Sequence, residues 1–186
     1  MDDTHEHLER AEQAEHTALS GDPFLTKVSV TIALLAVVAA TVGSLESLET
    51  AATITEKNSA VFFQNKATDQ WAFFQAKSLK KNMYDIAAIQ AGTSGEEFRR
   101  QAKRNEDESR EIQAQAIELT KHVDEKLRES DRHEHRHHVL TVATTLLHVS
   151  IAIATISIIT RGHRWPWYGS IGLGIVGMIA CASAYL

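Results

Sequence analysis

Three stretches of this chain are almost empty of ionisable side chains, and no other feature limits its fold as strongly. Residues 28–45 carry none, residues 138–160 carry only histidines, and residues 168–186 carry only tyrosines and a cysteine. A helix rising about 1.5 Å per residue needs about 20 apolar residues to cross a hydrocarbon core of roughly 30 Å, and each stretch is close to that length. The first is the shortest, and it reaches across when Pro23, Phe24, Leu25 and the stem of Lys27 extend it into the interface. A core helix of a soluble bundle needs a polar stripe or a large surrounding protein, and a chain of 186 residues supplies neither. The expectation is an all-α membrane protein with transmembrane helices at residues 23–45, 138–160 and 168–186.

The tail over residues 1–22 is acidic and contains His5, His7 and His16. It is too long and too acidic to precede a cleaved signal segment, and Glu46, Ser47, Leu48 and Glu49 form no small-residue cleavage site, so the first span is expected to stay attached. Asp22 is placed to cap the first helix, with Pro23 at its first position. The single cysteine, Cys181, excludes an intramolecular disulfide and a multi-cysteine metal knuckle. A formal charge of -5 gives no general attraction to nucleic acid, and no nucleic-acid partner is expected.

Between Pro23 and Pro166 the chain has no proline, and its only glycines before Gly162 are Gly43, Gly92 and Gly95. The break at residues 92–95 separates two arms of nearly equal length, residues 46–91 and 96–137, each a helix of roughly 60 to 70 Å. A chain that leaves the membrane after Leu45 and re-enters at His138 needs such a pair. The sequence therefore predicts a long antiparallel helical hairpin stalk over residues 46–137, between the first and second spans. In the outgoing arm Ile54, Val61, Thr68 and Gln75 alternate with Asn58, Asn65, Ala72, Leu79 and Ile86, as in a heptad seam. In the returning arm Phe98, Asn105, Ile112 and Leu119 alternate with Ala102, Ser109, Ala116 and Val123. A short aromatic turn at residues 161–167 holds Trp165 and Trp167 around Pro166, as expected at a membrane border.

Glu46 and Glu49 stand one turn apart at the exit of the first span, and Arg136, His137 and His138 stand at the corresponding edge of the second. With His148 near the middle of the second span, these residues are candidates for a proton or ion relay, since imidazole and carboxylate both carry protons and bind divalent ions. The plainer reading is an interfacial ion pair for Glu46 and Glu49 and a packing role for His148, and it is preferred because no catalytic metal spacing accompanies them. His133 and His137 share a helical face, but without an acidic third ligand they are a weak metal signal.

Two further sets are candidate oligomer contacts. Phe62, Phe63, Trp71, Phe73 and Phe74 cover more of the helix than one partner arm can hide. Ser170, Gly174, Gly177 and Cys181 form a small-residue edge in the third span. No nucleophile elbow or phosphate loop is present, so neither an enzyme nor a bound cofactor is expected.

The features Asp22-Pro23-Phe24-Leu25, Gly43-Ser44-Leu45-Glu46-Ser47-Leu48-Glu49, Asp69-Gln70-Trp71-Ala72 and Lys77-Ser78-Leu79-Lys80-Lys81, together with Tyr84 and the two closing apolar segments, resemble the uncharacterised bacterial membrane family designated domain of unknown function 4337. The resemblance implies a bacterial membrane protein of long helices and carries no substrate or cofactor with it; the expected location is the bacterial inner membrane, as a multi-pass protein. The functional expectation is a structural or protein-interaction module, acting as a homo-oligomer with the lipid bilayer and an unidentified protein as partners. The alternative is an oligomeric proton or divalent-ion conduit. The basic residues near the stalk base place the stalk on the cytoplasmic side.

Overall fold

The computed structural model describes residues 23–160 and 164–186. The acidic tail with Asp22, and residues 161–163 of the expected turn, lie outside the described residues. The rest is helical, with no strand among the described residues. Helix α1 runs unbroken over Pro23–Ala91, 69 residues. A 3-10 turn at Gly92–Ser94 leads to α2, Glu96–Ile159, 64 residues, and α3 covers Trp165–Ser183, 19 residues. Each of the three is long and apolar enough to cross a membrane. Trp165 to Trp167, expected in the turn, instead form the start of α3, because Pro166 needs no backbone donor in a first turn.

The break between α1 and α2 depends on two glycines for different reasons. Gly92 has φ +58, a left-handed conformation that side chains resist. At Gly95 a Cβ would lie 2.5 Å from the Ala88 carbonyl oxygen, so the chain can double back only over a bare Cα. Glu96 and Glu97 then occupy the first turn of α2, where carboxylates favour the helix dipole.

The described chain forms two compact units. The first contains the residues up to Ala52 and those from Arg132 to the C-terminus. Its core sets Val28, Ile32, Leu35, Ala39 and Val42 of α1 against Leu140, Ala143, Leu147, Ile151 and Ala154 of α2. Both series step by three or four residues, which keeps them on one helical face. α3 closes this unit with Pro166, Ser170, Gly174 and Gly177 buried. A Cβ on Gly174 would meet Leu35 Cδ2 at 2.7 Å, and one on Gly177 would meet Leu147 Cγ at 3.1 Å. Several hydroxyls in the apolar stretches bond back to their own helix, as Thr41 Oγ1 does to the Val37 carbonyl and Thr155 Oγ1 to that of Ile151, which removes the cost of an unpaired donor there.

The second unit is Thr53–Asp131. Within it Glu56 meets Lys126 at 3.0 Å, Phe63 meets His122, Lys77 meets Glu108 at 2.5 Å, and Tyr84 stacks on Phe98. Residue numbers rise along α1 as their partners' numbers fall along α2. The buried positions are mostly small: Ala60, Ala67 and Ala88 from α1, and Ala102, Asn105, Ser109, Ile112, Ala116 and Val123 from α2. Asn105 and Ser109 satisfy their side chains on carbonyls of their own helix.

This packing corrects half of the expected heptad pattern. In α2 the predicted positions turn inward, apart from a partly covered Leu119 and an exposed Phe98. In α1 the predicted seam from Ile54 to Ile86 lies entirely on the exposed side. The alanine row wins the inner face because it lets the two backbones come close, while the larger apolar row is left outside.

Candidate functional site

The polar groups that close the first unit cluster where the apolar stretch of α1 ends. Glu49, only 8% exposed, is the most deeply placed. Its Oε2 lies 2.5 Å from His133 Nδ1, its Oε1 accepts the Tyr185 hydroxyl at 3.1 Å, and Arg136 Nη1 stands 3.9 Å from the same oxygen. Arg136 also lies over the Tyr185 ring, 5.2 Å from its centroid. One turn earlier on α1, Glu46 Oε1 is 2.7 Å from Thr141 Oγ1 and 3.9 Å from His137 Nδ1. His137 Nδ1 is also within 3.0 Å of Thr50 Oγ1. Helical spacing builds the cluster: Glu46, Glu49 and Thr50 share one face of α1, and His133, Arg136, His137 and Thr141 share the facing side of α2.

Of the predicted relay residues, the structure brings Glu46, Glu49 and His137 together. His138 is exposed, its ring 5.6 Å from that of His137, and His148 is partly buried farther along α2. The partners that sequence reasoning missed are His133 and Tyr185. His133 was legible as the residue one turn before His137 on the same face. Tyr185 had no such signal, because it reaches Glu49 only through the packing of α3. The joined carboxylates, imidazoles and hydroxyls can share protons along hydrogen bonds and can hold α1, α2 and the C-terminus together. No group of three or more His, Cys, Asp or Glu among the described residues is placed to hold a metal ion.

The two candidate contact surfaces fare differently. Ser170, Gly174 and Gly177 are covered within a single chain: Ser150 Oγ donates to the Ser170 carbonyl at 2.5 Å, and the two glycines lie against Leu35 and Leu147. They therefore serve the packing of α3 onto α1 and α2. Cys181 is partly buried against the same core. The outward face of α3 is instead apolar and larger, with Ile175, Val176 and Ile179 about half exposed or more. The aromatic set on α1 is split. Phe63, Trp71 and Phe74 are partly buried, while Phe62 and Phe73 remain 53% and 50% exposed. Lys66 and Lys77 lie over those two exposed rings.

No curated protein and no solved structure matches the chain. A family match does exist, and it runs from residue 24 to residue 186, through all three helices and every residue of the polar cluster. On that extent the chain belongs to the family described as Domain of unknown function (DUF4337).

Proposed function

We propose that this protein is a structural or protein-interaction module of the bacterial inner membrane that works as a homo-oligomer. In this reading residues 23–45 of α1, 138–160 of α2, and α3 cross the bilayer. Residues 46–137 stand outside it as a long antiparallel hairpin stalk, which the descending order of contacts within Thr53–Asp131 supports. The observation that carries the proposal is the large apolar surface left uncovered on that stalk. Ile54, Val61, Phe62, Leu79, Met83 and Ile86 are each more than half exposed in a segment that water would surround. Burying such a side chain is worth roughly 1.5 to 3 kcal/mol, so the stalk gains from a partner surface. A cytoplasmic side for the stalk is supported by Lys57, Lys121, Lys126, Arg128, Arg132 and Arg136 near its base. Labelling of a cysteine in the 92–95 turn from the periplasmic side would reverse that orientation.

The rival reading is an oligomeric proton or divalent-ion conduit, favoured by the hydrogen-bonded run from Tyr185 through Glu49 to His133. Flux separates the two. In vesicles reconstituted with the protein, the structural reading predicts no pH- or metal-driven transport above that of empty vesicles. Transport that disappears in Glu46→Gln or His148→Ala would replace it with the conduit.

A further inference from the structure

α1 carries a row of side chains that no other described residue covers. Stepping by three or four residues from Ile54 to Gln90, every position of the row is exposed and none is ionisable. Its large apolar members, Ile54, Val61, Leu79, Met83 and Ile86, are 55% to 61% exposed. The outer side of α2 in the same unit is the opposite in character, with Lys103, Asp107, Glu111, Glu118, Lys121 and Glu125 exposed at helical spacing. α2 thus presents an ordinary water-facing surface, and α1 presents one with the pattern of a helix interface.

What covers the row follows from its polar members and from the continuity of α1. Asn58 and Asn65 interrupt the apolar positions, and an amide side chain carries both donor and acceptor. Opposed to its own copy, each amide can satisfy the other, and a row without charge asks for no oppositely charged partner. Polar residues at such positions specify register and favour like-with-like pairing. Copies inserted in the same sense into one bilayer run α1 in the same direction, so their rows would meet in parallel.

We infer that the outward row of α1 is the subunit interface of the oligomer, packing against the same row of a second copy, parallel and in register, with Asn58 and Asn65 facing their own counterparts. The inference rests on the homo-oligomeric stalk proposed above and assigns its contact surface.

Disulfide trapping in reconstituted membranes tests it, using the full chain with Cys181→Ser as background. Ala72→Cys and Val61→Cys, both small changes at exposed positions, should each give a covalent dimer at twice the 20.6 kDa chain mass under mild oxidation. Lys103→Cys, on the charged side of α2, should stay monomeric. Linking of Lys103→Cys as efficiently as Ala72→Cys would overturn the assignment, as would capture of other proteins alone in native membranes. Mass measurement of the same samples in lipid nanodiscs separates the two levels. A multimer without Ala72 or Val61 self-linking removes this interface and leaves the oligomer standing, whereas a monomer removes both.

Discussion

Tyr185 donates its hydroxyl proton to Glu49 Oε1 at 3.1 Å, which ties the end of the chain to α1. At the other end of α3 the Trp167 indole donates to Thr31 Oγ1, also at 3.1 Å, and Phe24 packs edge-on against the same ring. The two hydrogen bonds are the same number of residues apart along α1 as along the closing segment. α3 is therefore held against α1 in a defined register, parallel to it, by one polar contact at each end. Removing the Tyr185 hydroxyl deletes one hydrogen bond to Glu49 and leaves His133 and Arg136 in place. Tyr185→Phe should lower stability by about 1 kcal/mol, and Glu49→Ala by roughly 1 to 3 kcal/mol, since it strands several partners at once. Unfolding followed by circular dichroism in nanodiscs should return that order, and a larger loss from Tyr185→Phe would contradict the arrangement.

Gly174 is a position of contact within the chain. A leucine there must displace Leu35 and Ser150, and overpacking of this kind costs about 1 to 3 kcal/mol. Gly174→Leu should loosen α3 and raise the rate at which Cys181 reacts with a small thiol reagent, while the particle mass in nanodiscs stays the same. A fall in that mass with unchanged Cys181 reactivity would instead make Gly174 a contact between copies.

The pairing of α1 with α2 in the second unit can be checked by a cysteine pair. Lys77→Cys combined with Glu108→Cys, on a Cys181→Ser background, should close a disulfide within one chain, seen as faster migration on a non-reducing gel. Lys77→Cys combined with Lys103→Cys should not, because residue 103 faces outward. Equal closure of both pairs would reject the register.

Ion pairing gives the second unit a pH window. Hydrogen bonds from Lys77, and then from Arg104, hold the Glu108 carboxyl below the usual carboxylate range. A depressed carboxyl stabilises the fold above its unfolded pKa, about 4.3, and that contribution is lost as pH falls through the lower folded value. Glu129, and then Glu56, hold Lys126 above its ordinary range. A raised amine stabilises below the unfolded value, about 10.4, and its contribution is lost as pH rises through the folded one. The second unit should therefore weaken below about pH 4 and above about pH 10.4. Glu108→Gln should flatten the acid side alone, and Lys126→Met the alkaline side alone, in thermal melts across pH.

Local chemistry was enough to mark much of this protein from its residues. An apolar run such as 28–45 is visible because length and the absence of charge are one-dimensional properties. The break at Gly92 and Gly95 is visible because backbone conformation at a turn depends on the residues in it. Glu46, Glu49 and His137 were legible as a group because each stands where an apolar run ends. The tertiary structure decided which face of α1 turns inward. Periodicity shows that Ile54, Val61, Leu79 and Ile86 share a stripe and that Ala60, Ala67 and Ala88 share another, yet it cannot rank them. Close approach of two backbones selects the alanines and sends the larger stripe outward. The same holds for Tyr185 and for Ser170, Gly174 and Gly177, whose neighbours are distant in sequence. Small residues announce a close contact, and only the packing of α3 on α1 and α2 determines that the contact lies inside the chain.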